Sequence, residues 1–390
     1  ERADADVATI LGSSGALTRT MFEARTNQLA RELIGRGIGA GDTIAVSIPR
    51  SQHSVVAMVA VAKTGAAFVV IDPRHPAERR ASLVADADTV LGLTTTEVSE
   101  PAASVPWIVL DVAQDELQIA GHSGRSVADD ELVRCVRPED VAYILFTSGS
   151  TGKPKAAAVS NRAITNLAVN SVETWGMTPD SRMLHVGAPS FDGAMGELWP
   201  AMLAGSGVVV ADFDSYAGEP LERLIAEHGA THACMTPAVV ATLNPVNMPT
   251  FCDVACGGEA LPPELVHRWT ALGDRRIYNI YGPTEAAVWV TCGGPFDLHE
   301  DITIGRPDAG VGILVLDRSL RPVPTGVTGE MYVTGEQVGL GYRGQNALTA
   351  VRFVANPFAP GTRMYRTGDR VSRRSDGAFD YHGRVDFQLK

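Results

Sequence analysis

The chain has 390 residues, 45% of them apolar, a mean hydropathy of +0.04 and a formal charge of −12. That length suits one large domain or two to three smaller ones, and the apolar share suits a soluble globular protein. The acidic balance excludes nucleic acid as a partner, because no basic face is indicated. The opening ERADAD lacks the marks of a signal peptide. Residues 18–34 read as a helix, with Phe22, Leu29, Ala30 and Leu33 on one face and Gly35 and Gly37 closing it. Strands over 43–48, 67–71 and 89–93 alternate with helices over 54–63 and 77–87. The most apolar window, 54–71, is broken by Lys63 and Gly65 and is short for a bilayer span. Strand–helix alternation implies a mainly parallel sheet with covered faces. Residues 121–130 are polar and read as a loop.

Residues 141–146 (VAYILF) read as a buried strand. Thr147, Ser148, Gly149, Ser150, Thr151 and Gly152 follow, then Lys153, Pro154 and Lys155. Glycines let successive N–H groups turn inward as an anion nest, hydroxyls add donors, and the lysines add charge. The run is not a P-loop, because its glycines are three apart and Pro154 follows Lys153. A solvated linker is the plain alternative, yet linkers rarely abut a buried strand.

The alternation resumes to about residue 290, with short strands at 207–211 and 232–235. Phe191-Asp192-Gly193-Ala194-Met195-Gly196-Glu197 opens an apolar helix that Asp192 is placed to cap. The five cysteines, Cys135, Cys234, Cys252, Cys256 and Cys292, read as reduced thiols of a cytoplasmic protein. The Cys252–Cys256 spacing fits packing better than metal, since no second ligand pair follows. Asn279 to Glu285 (NIYGPTE) follows a strand over 276–279, and taken alone it is a surface turn. From residue 302 short strands at 311–316, 329–333 and 368–372 replace the alternation, implying a β-rich unit, a small barrel. Gly339, Gly341 and Gly344 spell a dinucleotide fingerprint between a strand and a helix-like stretch, 346–355. Too few residues follow to build the further strands that such a fold needs, so this dehydrogenase reading is set aside.

TSGSTGKPK resembles the phosphate loop of adenylate-forming enzymes. The likeness runs from about Leu17 to the last residue through KTGAAFVVIDPRHPAERR, FDGAMGELWPAMLAG, NIYGPTEAAV, GEMYVTGEQVGLGYRG, YRTGDRV and GRVDFQLK. The nearest branch is the adenylation domain of nonribosomal peptide synthetases. The resemblance implies two mainly parallel α/β units, about 1–188 and 189–300, and a β-rich unit, about 301–383. Residues 386–390 would be a hinge stub, with the small C-terminal domain and its lysine absent.

The resemblance also implies roles. The phosphate loop and Lys155 would hold the triphosphate of ATP. Tyr281 would stack on adenine, beside Asn279 and a slot lined by Gly257, Gly258 and Glu259. Thr284 would bond the α-phosphate and Glu285 would hold Mg²⁺ through oxygen, the ligand that ion prefers. Asp369, with Tyr381 near it, would bind ribose hydroxyls, and Arg384 ribose or phosphate. Asp192 would pair with a substrate ammonium, because a buried carboxylate without a partner is costly. Phe191, Gly193, Gly196, Cys234, Val254, Cys256, Ile280, Val288 and Trp289 would complete the pocket. Apart from Asp192 none is charged, so an uncharged side chain is expected, with Gly193 and Gly196 leaving room at the floor. The implied reaction forms an aminoacyl-AMP and loads it onto the phosphopantetheine thiol of a carrier protein. Such a truncated chain is expected to bind its substrates and to adenylate poorly. Further implied partners are the parent's condensation domain and an MbtH-like protein at residues 260–265, a segment that also reads as a plain helix start. An acyl- or aryl-acid CoA ligase and a non-catalytic nucleotide-binding module are the alternatives.

Overall fold

The computed structural model describes residues 8–12, 15–98, 102–147, 154–298 and 300–385. The expectations for Ser148, Gly149, Ser150, Thr151, Gly152 and Lys153, and for the hinge over 386–390, lie outside the described residues. Among those described, three sheets organise the chain. Seven strands make the first, from Gly341–Tyr342 through Lys155–Ser160, Val141–Thr147, Ala67–Val70, Thr43–Ser47 and Leu91–Thr94 to Trp107–Val109. Its centre is parallel, as helical crossovers require. Nine strands make the second, and His232–Met235, Asp253–Cys256 and Arg276–Tyr281 run parallel within it. The third has five antiparallel strands, including Val311–Leu316, Gly329–Gly335 and the long Arg363–Arg373. This is the expected class, two mainly parallel sheets covered by helices plus a smaller β-rich part.

The largest core lies between the two big sheets. Ile44, Phe68 and Tyr143 face Met183, Val208 and Tyr278 across helices that contribute Phe22, Val55, Leu167 and Leu198. Helix Gln52–Lys63 buries every residue from Ser54 to Val61, the mark of an interior helix. A second core covers the far face of the nine-stranded sheet with Leu184, Phe251, Val254 and Trp269.

Two expectations change. Sheet membership crosses the boundaries placed near residues 188 and 300. Ala8–Gly12 pairs with Gly207–Val210 in the nine-stranded sheet, and Gly341–Tyr342 pairs with Lys155–Ser160 in the other. Open strand edges recruit whichever segment satisfies their backbone groups, whatever its place in the chain. The helix expected over 346–355 ends at Arg352, and Phe353–Ala355 is a strand on Arg363–Arg373. Pairing there buries Phe353 against Tyr342 and Tyr365, which suits an aromatic, β-branched run. The glycine run before it holds the short edge strand Gly341–Tyr342 rather than a phosphate-binding turn: the Gly339 N–H donates to the Glu285 carbonyl at 2.8 Å, and a Cβ on Gly341 would fall 2.4 Å from Thr349.

Candidate active site

Parallel α/β sheets present ligand sites beyond the C-terminal ends of their strands. Here four such ends, after Arg182–His185, His232–Met235, Asp253–Cys256 and Arg276–Tyr281, surround a cavity of about 320 Å³. Phe191, Asp192, Gly193, Cys234, Ile280, Val288 and Trp289 line it, with Gly257 and Gly258 at one side. Val254 and Cys256 do not line it. Both are fully buried in the core on the other face of the sheet, because strand side chains alternate faces and these two fall opposite Ala255. Gly196 is also corrected. A Cβ there would lie 2.1 Å from the Trp289 ring, so the space expected at the floor is filled by that indole. At Gly193 nothing lies within 4 Å of the Cβ position.

Asp192 stands at the N-cap position of helix Gly193–Ala204 but makes no capping bond. Its Oδ2 instead accepts the hydroxyl of Thr284. Beyond Glu285 the chain doubles back through Ala287 and Val288, both in the left-handed region at φ 55° and 73°. Non-glycine residues there cost about 1–3 kcal/mol each, and such strain collects at functional sites. The bend turns Val288 and Trp289 into the cavity wall, so close that a Cβ on Gly282 would fall 2.2 Å from the Trp289 Cα.

A second cluster joins the third sheet to the site. Asp369, 1% exposed, accepts from the Tyr281 hydroxyl, from the Tyr381 hydroxyl at 3.2 Å and from the Arg384 guanidinium at 2.8 Å. The Tyr281 and Tyr381 rings sit 5.7 Å apart. Burial and the Asp369 charge push the Tyr281 hydroxyl well above the usual phenol range, so it stays a donor. Glu285 accepts the Tyr342 hydroxyl at 2.6 Å, and Lys155 lies buried with its Nζ 5.9 Å from the Tyr342 ring centre. Thr147 pairs with Lys155 in register across the hairpin, and its hydroxyl is buried without a hydrogen-bond partner. Asn279 is committed elsewhere, donating to the Thr303 carbonyl at 2.8 Å. Glu259 is exposed beside Gly258.

Sequence reading missed Glu197. This carboxylate is fully buried, lines the cavity and accepts His185 Nδ1 at 2.7 Å and the Gly187 N–H at 2.9 Å. An acid inside an otherwise apolar helix was the available signal. Burial first, then the nearby Glu197, holds the Cys234 thiol well above the ordinary range. Among the described residues no three His, Cys, Asp or Glu gather as a metal site, and no helix is long and apolar enough to cross a membrane.

The two α/β layers and the third antiparallel sheet superpose with a TM-score of 0.88 on the solved nonribosomal peptide synthetase FmoA3, over 98% of this chain and 41% of that one, which shows the fold. The chain belongs to the family described as AMP-binding enzyme, whose profile matches residues 1–343. It is 39% identical over 385 residues to novobiocin biosynthesis protein H of Streptomyces niveus, covering 98% of this chain and 64% of that protein. It is 33% identical over 395 aligned positions to bacitracin synthase 3 of Bacillus licheniformis, covering 100% of this chain and 6% of that one. The chain thus spans less than two thirds of the length of these curated relatives. It superposes with a TM-score of 0.89 and 25% identity on the nonribosomal peptide synthetase FmoA3 in its alpha-methyl-L-serine-AMP bound form, over 98% of this chain and 44% of that one.

Proposed function

We propose that this chain is the large part of an adenylation domain that activates an α-amino acid with ATP for nonribosomal peptide synthesis. The observation that carries the reading is Asp192, a carboxylate at a helix start that leaves the cap unmade, joins Thr284 and lines a mostly apolar cavity. A carboxylate in that position matches the ammonium of an α-amino acid, and the cavity takes its side chain. The substrate carboxylate would then attack the α-phosphate, forming the acyl–phosphate bond as the bond to pyrophosphate breaks. Thr284 would steady the α-phosphate. Asp369 would exchange its tyrosine bonds for the ribose hydroxyls, Arg384 would bind ribose or phosphate, and Tyr281 would flank adenine. Thr147 and Lys155, at the two ends of residues 148–153, would meet the polyphosphate, and the orphaned Thr147 hydroxyl fits such an acceptor. Glu285 fits Mg²⁺, which commonly takes one or two carboxylates beside phosphate oxygens and would neutralise their charge. Catalysis of this kind rests on positioning and electrostatics rather than a protein nucleophile. Product release to a phosphopantetheine thiol on a carrier protein, alongside a condensation domain, is the onward step this reading implies, with an MbtH-like protein at residues 260–265 as a further partner.

The test is pyrophosphate exchange with an amino-acid panel, in a polypeptide carrying this chain. One or a few α-amino acids with uncharged side chains should support exchange, and their deaminated analogues should not. Asp192→Ala should lower kcat/KM about 100-fold or more, as loss of the charge partner of a bound ammonium does. Equal turnover of the deaminated acids, with CoA as acceptor, would instead establish a CoA ligase.

A further inference from the structure

The peptide unit joining Val186 to Gly187 is gripped at both ends by charged side chains. Its carbonyl accepts from the Arg50 guanidinium, which also donates to the carbonyls of Ala211 at 2.6 Å and Asp212 at 2.8 Å. Its N–H donates to Glu197 Oε1 at 2.9 Å, and Glu197 Oε2 is held by His185 Nδ1 at 2.7 Å. Glu197 and His185 are both fully buried. This peptide is where the strand Arg182–His185 ends and the segment leading to Phe191 and Asp192 begins. It also forms part of the partition between the substrate cavity and a neighbouring cavity of about 680 Å³, since Val186 and Ala188 line both.

Stability alone does not explain the arrangement. Replacing buried polar partners with apolar residues of the same shape can be nearly neutral or stabilising, and the surrounding core is apolar. What the charged groups supply is direction: two strong, oriented hydrogen bonds on one peptide fix the path of the chain toward Asp192. Gly187 lets that path run close over the helix, because a Cβ there would meet the Ala194 nitrogen and Glu197 Oε1 at 3.1 Å each.

We propose that Arg50, Glu197 and His185 form a positioning clamp that sets the Asp192 carboxylate for the substrate ammonium; this rests on the amino-acid reading above. None of the three is a catalytic residue. Misplacing a binding group by about 1 Å can cost roughly 100-fold. Glu197→Ala should therefore raise KM for the amino acid roughly 10- to 100-fold while KM for ATP stays within about twofold. Discrimination against the deaminated analogue should fall with it. Glu197→Gln keeps a carbonyl for the Gly187 N–H and should recover most of the loss. Arg50→Lys, which cannot reach all three carbonyls, should repeat the amino-acid effect, and it serves as the second variant if Glu197→Ala does not fold.

Pyrophosphate exchange kinetics on these variants, in the polypeptide carrying the chain, decide the matter. An unchanged amino-acid KM in Glu197→Ala and Arg50→Lys overturns the clamp alone. So does a parallel loss for both substrates that Glu197→Gln fails to rescue, which marks a merely structural pair. Wild-type protein that exchanges with no amino acid of the panel overturns the functional reading and the clamp with it.

Discussion

Asp308 is a carboxyl out of its usual environment. It lies near Cys292, its Oδ2 is buried without a hydrogen-bond partner, and burial raises its pKa to about 7. The folded chain therefore holds this proton long after the unfolded chain has released it, so stability falls as pH rises from about 4 to about 7. At about 1.4 kcal/mol per pH unit between the two values, the penalty above pH 7 is on the order of 4 kcal/mol. Asp308→Asn should raise the melting temperature at pH 8 and leave it nearly unchanged at pH 4, as thermal melts at the two pH values will check. A lone aspartate in GRPD gives no sequence sign of this, because its burial is set by strand pairing with residues near Val290. The place of Asp192 on the cavity wall was legible, since it opens the apolar helix in FDGAMGE. Glu197 was not, because its partners Gly187 and His185 are fixed by the return of the chain rather than by spacing.

At the scale of elements, the strand period decides which expected pocket positions do their task. Cys234 on one strand and Ile280 on another point into the cavity, whereas Val254 and Cys256 on the strand between them turn away. Most central strands were readable from short apolar runs, yet a run buried on both faces hides which face a given residue serves. Val254→Ala should cost about 1–3 kcal/mol of stability through a cavity and leave the accepted amino acids unchanged. Ile280→Ala should widen acceptance toward bulkier side chains at a similar stability cost. Denaturant melts and an exchange panel on both variants separate the two. Gly196→Ala is a third case: the methyl would strike the Trp289 ring, so roughly 1–3 kcal/mol of overpacking is expected, together with a reshaped floor that alters the panel.

The whole molecule brings its three sheets together at one place. Gly341–Tyr342 adds an edge strand to Lys155–Ser160, so the loop leaving the third sheet's Gly329–Gly335 strand completes the first sheet. Arg384 and Tyr381, from the third sheet's last strand, reach Asp369 beside Tyr281 of the second. Tyr342 carries the same junction to Glu285, its hydroxyl donating at 2.6 Å. Burial and the Glu285 charge raise the Tyr342 pKa far above neutrality, so this bond survives across the working pH range. A hydrogen bond to a charged group contributes about 1.5–3 kcal/mol. Tyr342→Phe removes the donor without emptying the space, and its ring contact with Phe353 at 5.5 Å can remain. Stability should then drop by about 1–2 kcal/mol. If Glu285 orients Mg²⁺ with ATP, the KM for the magnesium nucleotide should rise several-fold while the amino-acid KM holds, the reverse of the pattern expected for Glu197→Ala. A variant with both KM values at wild-type level and only a lowered melting temperature would confine Tyr342 to joining the sheets.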